Sequence, residues 1–172
     1  NQIIKFIYKN TARSNCISTT KPLPKSNKKN KFFSVDDGKL IFRIIKSSKN
    51  LLIGKALDNY QIHPKKGINI PLSIYNNDDQ KKNYLKYLNY FKKSNFNLVG
   101  LSFVQNYKLI VFLKKKYPHL LFVSKIENSE GLKNAENICK YSDIVMIDRG
   151  DLSAEIGGDK LFDSILKISS FA

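Results

Sequence analysis

The sequence contains few of the residue types on which zinc sites and many catalytic sites depend. It has two cysteines, Cys16 and Cys139, which lie far apart without a Cys-x-x-Cys pair, and this spacing argues against a zinc site. Its two histidines, His63 and His119, each adjoin a proline in a predicted loop, and we expect neither to be catalytic. Cysteines without a nearby partner also fit a reducing cytoplasm, which is the location that we predict.

Long apolar runs are also missing. No stretch approaches the roughly 20 apolar residues that a membrane helix needs, so we predict no membrane segment. The opening residues 1–10 lack the apolar core and the cleavage site of a secretory signal. Because the chain starts at Asn1 rather than Met and ends at Ala172 without a closing signal, we expect a fragment of a longer protein.

Arginine is scarce although the chain is strongly basic. Lysine and arginine total 30 against 14 acidic residues, a formal charge of +16, yet only Arg13, Arg43 and Arg149 are arginines. Surfaces that bind nucleic acid depend on arginine, whose planar guanidinium matches phosphate and guanine. We therefore do not expect a nucleic-acid partner, and the charge should instead attract anionic substrates.

The two halves of the chain have different patterns. Residues 1–70 contain short runs of β-branched and aromatic residues, which predict a small β-domain. Its strands are predicted over residues 3–8, 40–45 and 51–57, with a turn at residues 36–38.

Residues 71–172 alternate between apolar strands and helical patterns. Strands are predicted over 97–103, 120–124 and 143–147, and helices over 108–117, 130–140 and 161–168. An earlier helix, capped by Asp78 or Asp79, would bury Tyr84, Leu85, Leu88 and Phe91. This alternation indicates parallel βα units, in either a (β/α)8 barrel or a doubly wound sheet. Three strands are too few to close a barrel.

Three charged residues follow the ends of two predicted neighbouring strands. Lys125 and Glu127 are two positions apart, so they can point to the same side, and Asp151 lies just past the next strand. Two adjacent carboxylates repel each other unless a cation lies between them, and Mg²⁺ prefers such oxygen ligands. A lysine there would stabilise negative charge on a phosphoryl group or an enolate. By spacing alone, a solvated Lys–Glu pair stays an open alternative.

Two motifs in this region resemble a known family. Ser-Lys-Ile-Glu-Asn-Ser-Glu-Gly (124–131) is followed by Ser-Asp-Ile-Val-Met-Ile-Asp-Arg-Gly-Asp-Leu (142–152) and by Glu155-Ile156. In this order and at this separation they closely resemble the active-site signature of the pyruvate kinase family. Segments 35–38, 65–71 and 100–104 resemble the turn of its mobile β-domain, the return to its barrel and its fourth barrel strand. The resemblance covers roughly residues 20–165.

The resemblance implies an α/β fold, namely a partial (β/α)8 TIM barrel of three βα units with a small inserted β-barrel-like lid domain. Residues 1–70 would belong to the lid and residues 71–172 to the barrel. The implied activity is phosphoryl transfer from phosphoenolpyruvate to ADP, giving pyruvate and ATP in glycolysis. The family also implies a homotetramer and a potassium ion, whose ligands would lie outside this chain.

The resemblance also implies roles for single residues. Lys125 would be the catalytic lysine, Glu127 and Asp151 would bind Mg²⁺ or Mn²⁺, and Lys66 would contact the nucleotide. The residues that would line the substrate pocket are Ser102, Phe103, Arg149, Gly150 and Asp151. Gly150 would let the substrate carboxylate approach backbone N–H groups at the start of a short helix.

Three single residues and one pair depart from the family pattern, the pair being Gly157-Gly158 in place of a motif that usually includes proline. Asp148 stands where a small residue, often Ala, usually precedes Arg-Gly-Asp, and Ser153 replaces a glycine. Gln105 stands where family members commonly carry arginine. Unless Asp148 points away or is paired, it should repel the substrate carboxylate, so we hypothesise that it weakens phosphoenolpyruvate binding.

Two other functions stay open. The departures would fit a diverged relative that keeps the metal site but acts on another carboxylate substrate or is inactive. The charge of +16 would fit a basic, non-catalytic binding protein, for which steeply salt-dependent binding to nucleic acid would be the sign.

Overall fold

The chain forms two compact units, residues 1–73 and residues 74–172. The computed structural model describes residues 2–9, 14–23, 30–73, 75–91 and 95–172, except for the side chain of Phe91. The predicted domain boundary after residue 70 lies close to this division. None of the helices in the described ranges is long and apolar enough to cross a membrane.

The first unit is built on a six-stranded sheet with the strand order β2-β1-β5-β4-β3-β6. The strands are β1 (Ile3–Tyr8), β2 (Cys16–Thr19), β3 (Phe32–Val35), β4 (Leu40–Ser48), β5 (Leu51–Ala56) and β6 (Ile68–Asn69). Strands β1 and β2 run parallel, and the other neighbours run antiparallel. The predictions of β1, β4 and β5 are confirmed, whereas β2, β3 and β6 were not predicted.

Three phenylalanine rings form the centre of the first unit. Phe33 and Phe42 stack with their ring centroids 4.8 Å apart, and Phe6 meets both rings edge-on at 5.3 Å. Gly54 in β5 makes this packing possible, because a Cβ there would lie only 2.5 Å from the Phe33 ring. The aromatic contacts link β1 to β3 and β4 through side chains, although β5 lies between β1 and β4 in the sheet.

The second unit contains the three predicted parallel strands, in the order β7-β8-β9. They are β7 (Leu98–Leu101), β8 (Leu121–Ile126) and β9 (Ile144–Ile147). The helices are α1 (Asn77–Phe91), α2 (Tyr107–Lys116), α3 (Ser129–Lys133), α4 (Ala135–Tyr141), α5 (Arg149–Ile156) and α6 (Leu161–Ser169). Because the strands are parallel and in register, β8 and β9 end at the same edge of the sheet.

Two of the predicted helix features are wrong in detail. The helix predicted over 130–140 is two helices, α3 and α4, separated at Asn134. The Asn134 amide donates hydrogen bonds to the backbone oxygens of Gln105 and Glu130, and such bonding competes with a continuous helix. Helix α1 is capped by neither aspartate. Instead, the Asn76 side chain accepts from the N–H groups of Asp78 and Asp79.

The chain passes very tightly beside the carboxyl end of β8. Gly131 in α3 lies so near the loop after β7 that a Cβ would be 2.6 Å from the Val104 carbonyl oxygen. The Val104 N–H donates to the Lys125 carbonyl oxygen at 3.2 Å. These contacts fix the strand end from which the candidate site is built.

Candidate active site

Lys125 and Glu127 lie at the carboxyl end of β8, and their side chains meet. Lys125 is the next-to-last residue of β8, and Glu127 follows directly after the strand. Lys125 Nζ lies 2.5 Å from Glu127 Oε1. Glu127 is only 1% exposed, whereas the Lys125 side chain is 23% exposed. The two residues therefore do point to one side, with the carboxylate inside and the ammonium nearer to solvent.

A backbone N–H also holds Glu127 in place. Its second oxygen accepts a short hydrogen bond from the N–H of Phe103, which lies in the turn after β7. Phe103 has a φ of 55°, a left-handed conformation that a bulky residue rarely adopts. Burial raises the pKa of Glu127, although Lys125 and the Phe103 N–H oppose the rise. The site thus keeps a carboxylate where solvent does little to stabilise its charge, and a cation would compensate for that loss.

Asp148 is a second carboxylate partner of Lys125. Its Oδ2 lies 3.0 Å from Lys125 Nζ, and its Oδ1 accepts from the N–H of Asp151 at 3.5 Å, which caps α5. The hydrogen bond to Lys125 lowers the pKa of Asp148. Burial alone would lower the pKa of Lys125, but the bonds to Glu127 and Asp148 raise it. The lysine is therefore a firmly protonated ammonium between two carboxylates.

Asp151 completes a cluster of oxygen ligands. One carboxylate oxygen from each of Glu127, Asp148 and Asp151 lies within 4.8 Å of the other two. Hard oxygen donors of this kind suit Mg²⁺ or Mn²⁺. Such ions usually take one or two carboxylates and complete their shell with water or substrate oxygens, so two of the three would suffice. The sequence predicted Glu127 and Asp151 as neighbours, but the place of Asp148 beside them was not predicted.

The other predicted site residues lie in three places. Ser102 is exposed in the turn after β7, beside Phe103. Arg149 and Gly150 are exposed in the first turn of α5. Lys66 belongs to the first unit, where its Nζ lies 3.1 Å from Asp36 Oδ1. In the second unit the structure thus brings together Lys125, Glu127 and Asp151.

Asp36 organises the surroundings of Lys66. Asp36 is 2% exposed and lies in the predicted turn, and Lys39 Nζ approaches its Oδ2 at 3.6 Å. The Tyr60 hydroxyl donates a short hydrogen bond to the same oxygen. This hydrogen bond and the two lysines lower the pKa of Asp36. Asp36, Asp37 and Lys65 all have φ between 54° and 66°, so both segments that carry these contacts adopt left-handed backbone.

Sequence reasoning gave no role at the acidic cluster to Tyr75, Gln105 or Tyr84, although it noted Gln105 as a departure from the family pattern. Burial, with Glu155, Glu127 and Asp151, raises the pKa of Tyr75 to about 12. The buried Gln105 accepts the Tyr75 N–H at 2.9 Å through its side-chain oxygen. The Tyr84 hydroxyl donates to the Ser102 carbonyl oxygen, and burial raises its pKa. The helical spacing of Tyr84 predicted only packing, and a tyrosine's hydrogen-bond partner has no sequence signal.

A lysine and carboxylates at the carboxyl edge of a parallel sheet define the class of α/β proteins that place their sites at strand ends. Within that class, the family of this chain is identified by a match to a family model. The model described as the pyruvate kinase barrel domain matches residues 3–168. The chain therefore belongs to the pyruvate kinase family, and its fold is the mixed α/β fold of that barrel domain.

Individual relatives agree with the family assignment. The pyruvate kinase of Borreliella burgdorferi is 29% identical over 168 residues, covering 93% of this chain and 34% of its own length. The pyruvate kinase of Methanocaldococcus jannaschii is 31% identical over 134 residues, covering 73% of this chain and 29% of its own length. The chain thus spans about a third of the length of the curated relatives that it matches.

Solved structures of the family superpose on nearly the whole chain. The crystal structure of a pyruvate kinase from Cryptosporidium parvum has a TM-score of 0.74 and 28% identity, covering 98% of this chain and 37% of its own. A structure of Cryptosporidium parvum pyruvate kinase in complex with ADP has a TM-score of 0.77 and 26% identity, with the same coverage.

Proposed function

We propose that the protein is a pyruvate kinase that transfers a phosphoryl group from phosphoenolpyruvate to ADP, giving pyruvate and ATP. The observation that carries the proposal is the meeting of Lys125, Glu127 and Asp151 at the ends of β8 and β9. Family membership and the likeness to a relative solved with ADP support it. We further propose that the two units are a partial (β/α)8 barrel and its inserted lid.

Glu127 and Asp151 would hold a Mg²⁺ or Mn²⁺ ion, and their oxygen chemistry fits such an ion. When bound, the ion would neutralise the charge of the phosphoryl oxygens. Lys125 would direct its ammonium at the transferring phosphoryl group and at the enolate oxygen that remains on the three-carbon unit once this group has left phosphoenolpyruvate. Burial of Glu127 excludes water from one side of the lysine, which strengthens that electrostatic contribution.

The start of α5 would bind the substrate carboxylate. Arg149 and Gly150 are exposed there, and the N-terminal end of the helix favours an anion. A Cβ on Gly150 would meet only Asp148 Oδ1, at an ordinary 3.7 Å, so the fold itself has room for a side chain. The glycine is therefore better explained by a ligand that approaches the backbone. Ser102 and Phe103 would line the same pocket.

Lys66 would contact the nucleotide from the first unit. The homotetramer, the potassium ion and a cytoplasmic location accompany this proposal as further predictions. The homotetramer and the potassium ion follow from the family resemblance, and the location follows from the spacing of the two cysteines.

An assay of the full protein tests the proposal. Pyruvate formation from phosphoenolpyruvate and ADP is measured with Mg²⁺ for the parent and for Lys125→Met. We expect activity in the parent and a loss of at least about 100-fold in the variant, because a charge that stabilises the transition state is removed. Lys114→Met is the matched control, since Lys114 also pairs with an aspartate, Asp143, at 2.6 Å but lies outside the site.

A second candidate function is a diverged relative with another carboxylate substrate or no activity. The pairing of Asp148 with Lys125 favours it, because that carboxylate occupies the lysine on which the reaction depends. A folded parent that binds Mg²⁺ but forms no pyruvate would contradict the kinase proposal and support this alternative.

A further inference from the structure

Asp148 engages both groups that the proposed site offers to an anionic substrate. One of its oxygens lies 3.0 Å from the ammonium of Lys125. The other accepts the N–H of Asp151 at the start of α5, where the substrate carboxylate would bind. The Asp148 side chain thus pairs with the Lys125 ammonium and accepts a hydrogen bond from the start of α5 at the same time, as a bound substrate anion would.

We propose that Asp148 is an internal competitor of the anionic substrate and sets its affinity. The proposal rests on the proposed function, since it takes Lys125 and the start of α5 as the substrate's binding groups. A substrate anion must displace the Asp148 carboxylate from at least one of these partners. The cost of that displacement, and the repulsion from the displaced charge, lower the net affinity.

The two carboxylates on Lys125 differ in their freedom to leave it. Glu127 is 1% exposed and is also bound by the Phe103 N–H, so it stays with the lysine. The Asp148 side chain is 32% exposed, and its bond to the Asp151 N–H is long at 3.5 Å. Asp148 can therefore turn towards solvent with little loss of other contacts. This difference makes Asp148 the exchangeable partner and Glu127 the fixed one.

Two simpler roles of Asp148 would produce the same contacts with Lys125 and with the Asp151 N–H. As a helix cap, Asp148 would stabilise α5 without affecting the substrate, and asparagine would replace it well. As a third ligand of the cation, Asp148 would help to recruit the substrate through the metal. Asp148→Asn separates these roles, because it keeps the capping oxygen and removes the charge. Asp148→Ala removes both the cap and the charge.

The test is the binding of phosphoenolpyruvate to the full protein, measured by calorimetry at saturating Mg²⁺ without ADP, so that no turnover occurs. We expect Asp148→Asn and Asp148→Ala each to lower the dissociation constant about three- to tenfold, the range for one partly screened charge. In turnover, the KM for phosphoenolpyruvate should fall while the KM for ADP stays unchanged. The matched control is Asp143→Asn, which removes the same charge from the Lys114 pair outside the site.

Three results would overturn the proposal. Unchanged affinity in Asp148→Asn, with a change only in Asp148→Ala, would reduce Asp148 to a helix cap. Weaker binding of both Mg²⁺ and phosphoenolpyruvate in Asp148→Asn would make it a ligand of the cation. If the Mg²⁺-bound parent and both variants all failed to bind phosphoenolpyruvate, the proposed function would fall together with the inference.

Discussion

Each unit of the molecule holds a lysine against a carboxylate, and the two sites differ in how the carboxylate is held. In the first unit, Lys66 meets Asp36, which is 2% exposed and also contacts Tyr60 and Lys39. In the second unit, Lys125 meets the buried Glu127 and the partly exposed Asp148. The first site thus has one fixed carboxylate, and the second has one fixed and one exchangeable carboxylate.

The difference shows what a carboxylate beside a lysine can do. A buried carboxylate with several partners cannot leave without exposing unsatisfied donors, so it positions its lysine. A carboxylate at the surface has water as an alternative partner, so a ligand can replace it at small cost. By this reasoning Asp36 and Glu127 would orient their lysines for a ligand, while Asp148 would compete with one. Neutralising a fixed carboxylate should therefore lower the affinity for a ligand, and neutralising the exchangeable one should raise it.

The largest effect is expected when the fixed carboxylate of the second site is neutralised. Glu127→Gln should lower activity by about 10²–10³-fold, because it removes a proposed metal ligand and the charge that orients Lys125. The affinity for Mn²⁺, measured by titration in the absence of substrates, should fall as well. If Glu127→Gln changed Mn²⁺ affinity and activity no more than the control Asp143→Asn does, Glu127 would not be the fixed carboxylate that the site requires.

A smaller effect of the same sign is expected in the first unit. Asp36→Asn should raise the KM for ADP about three- to tenfold, since Lys66 loses the charge that holds its ammonium. The KM for phosphoenolpyruvate should not change. Asp37→Asn, the neighbouring residue in the same turn, is the matched control. A lower KM for ADP in Asp36→Asn would show that Asp36 competes for Lys66, as proposed for Asp148, and the contrast between the units would disappear.

From the sequence alone, the residues of the second site were predicted better than the contacts between their side chains. Alternation along a strand placed Lys125 and Glu127 on one side, and the neighbouring strand end placed Asp151 near them. Asp148 was expected to repel the substrate unless it pointed away or was paired, and the structure pairs it with Lys125. Its pairing with Lys125 depends on a side-chain rotation at the helix start, and rotations of this kind leave no periodic signal in a sequence. Local patterns therefore identified strand ends but not the contacts across them.

The lack of a local sequence signal also explains which features of the fold were not predicted. Strands β2 and β6 have four and two residues, too few for an alternating pattern to stand out. The break at Asn134 depends on an amide that bonds to Gln105, a residue distant in sequence. The contact of Tyr75 with Gln105 likewise joins residues that are distant in sequence. Elements long enough to show a period, such as β1 and α2, were predicted within a residue or two.

The smallest effect is a pH dependence of stability that belongs to the first unit. The hydrogen bond from Tyr60, together with Lys66 and Lys39, lowers the pKa of Asp36 below its unfolded value of about 4. A carboxyl with a lowered pKa contributes stability that is fully present above the unfolded pKa and is lost as the pH falls through the folded pKa. The parent should therefore be more stable than Asp36→Asn near pH 6, and this difference should shrink towards pH 3. Urea unfolding at both values measures it. A difference that stayed constant or grew on acidification would mean that the charge of Asp36 does not stabilise the turn, and that Lys66 is oriented by other contacts.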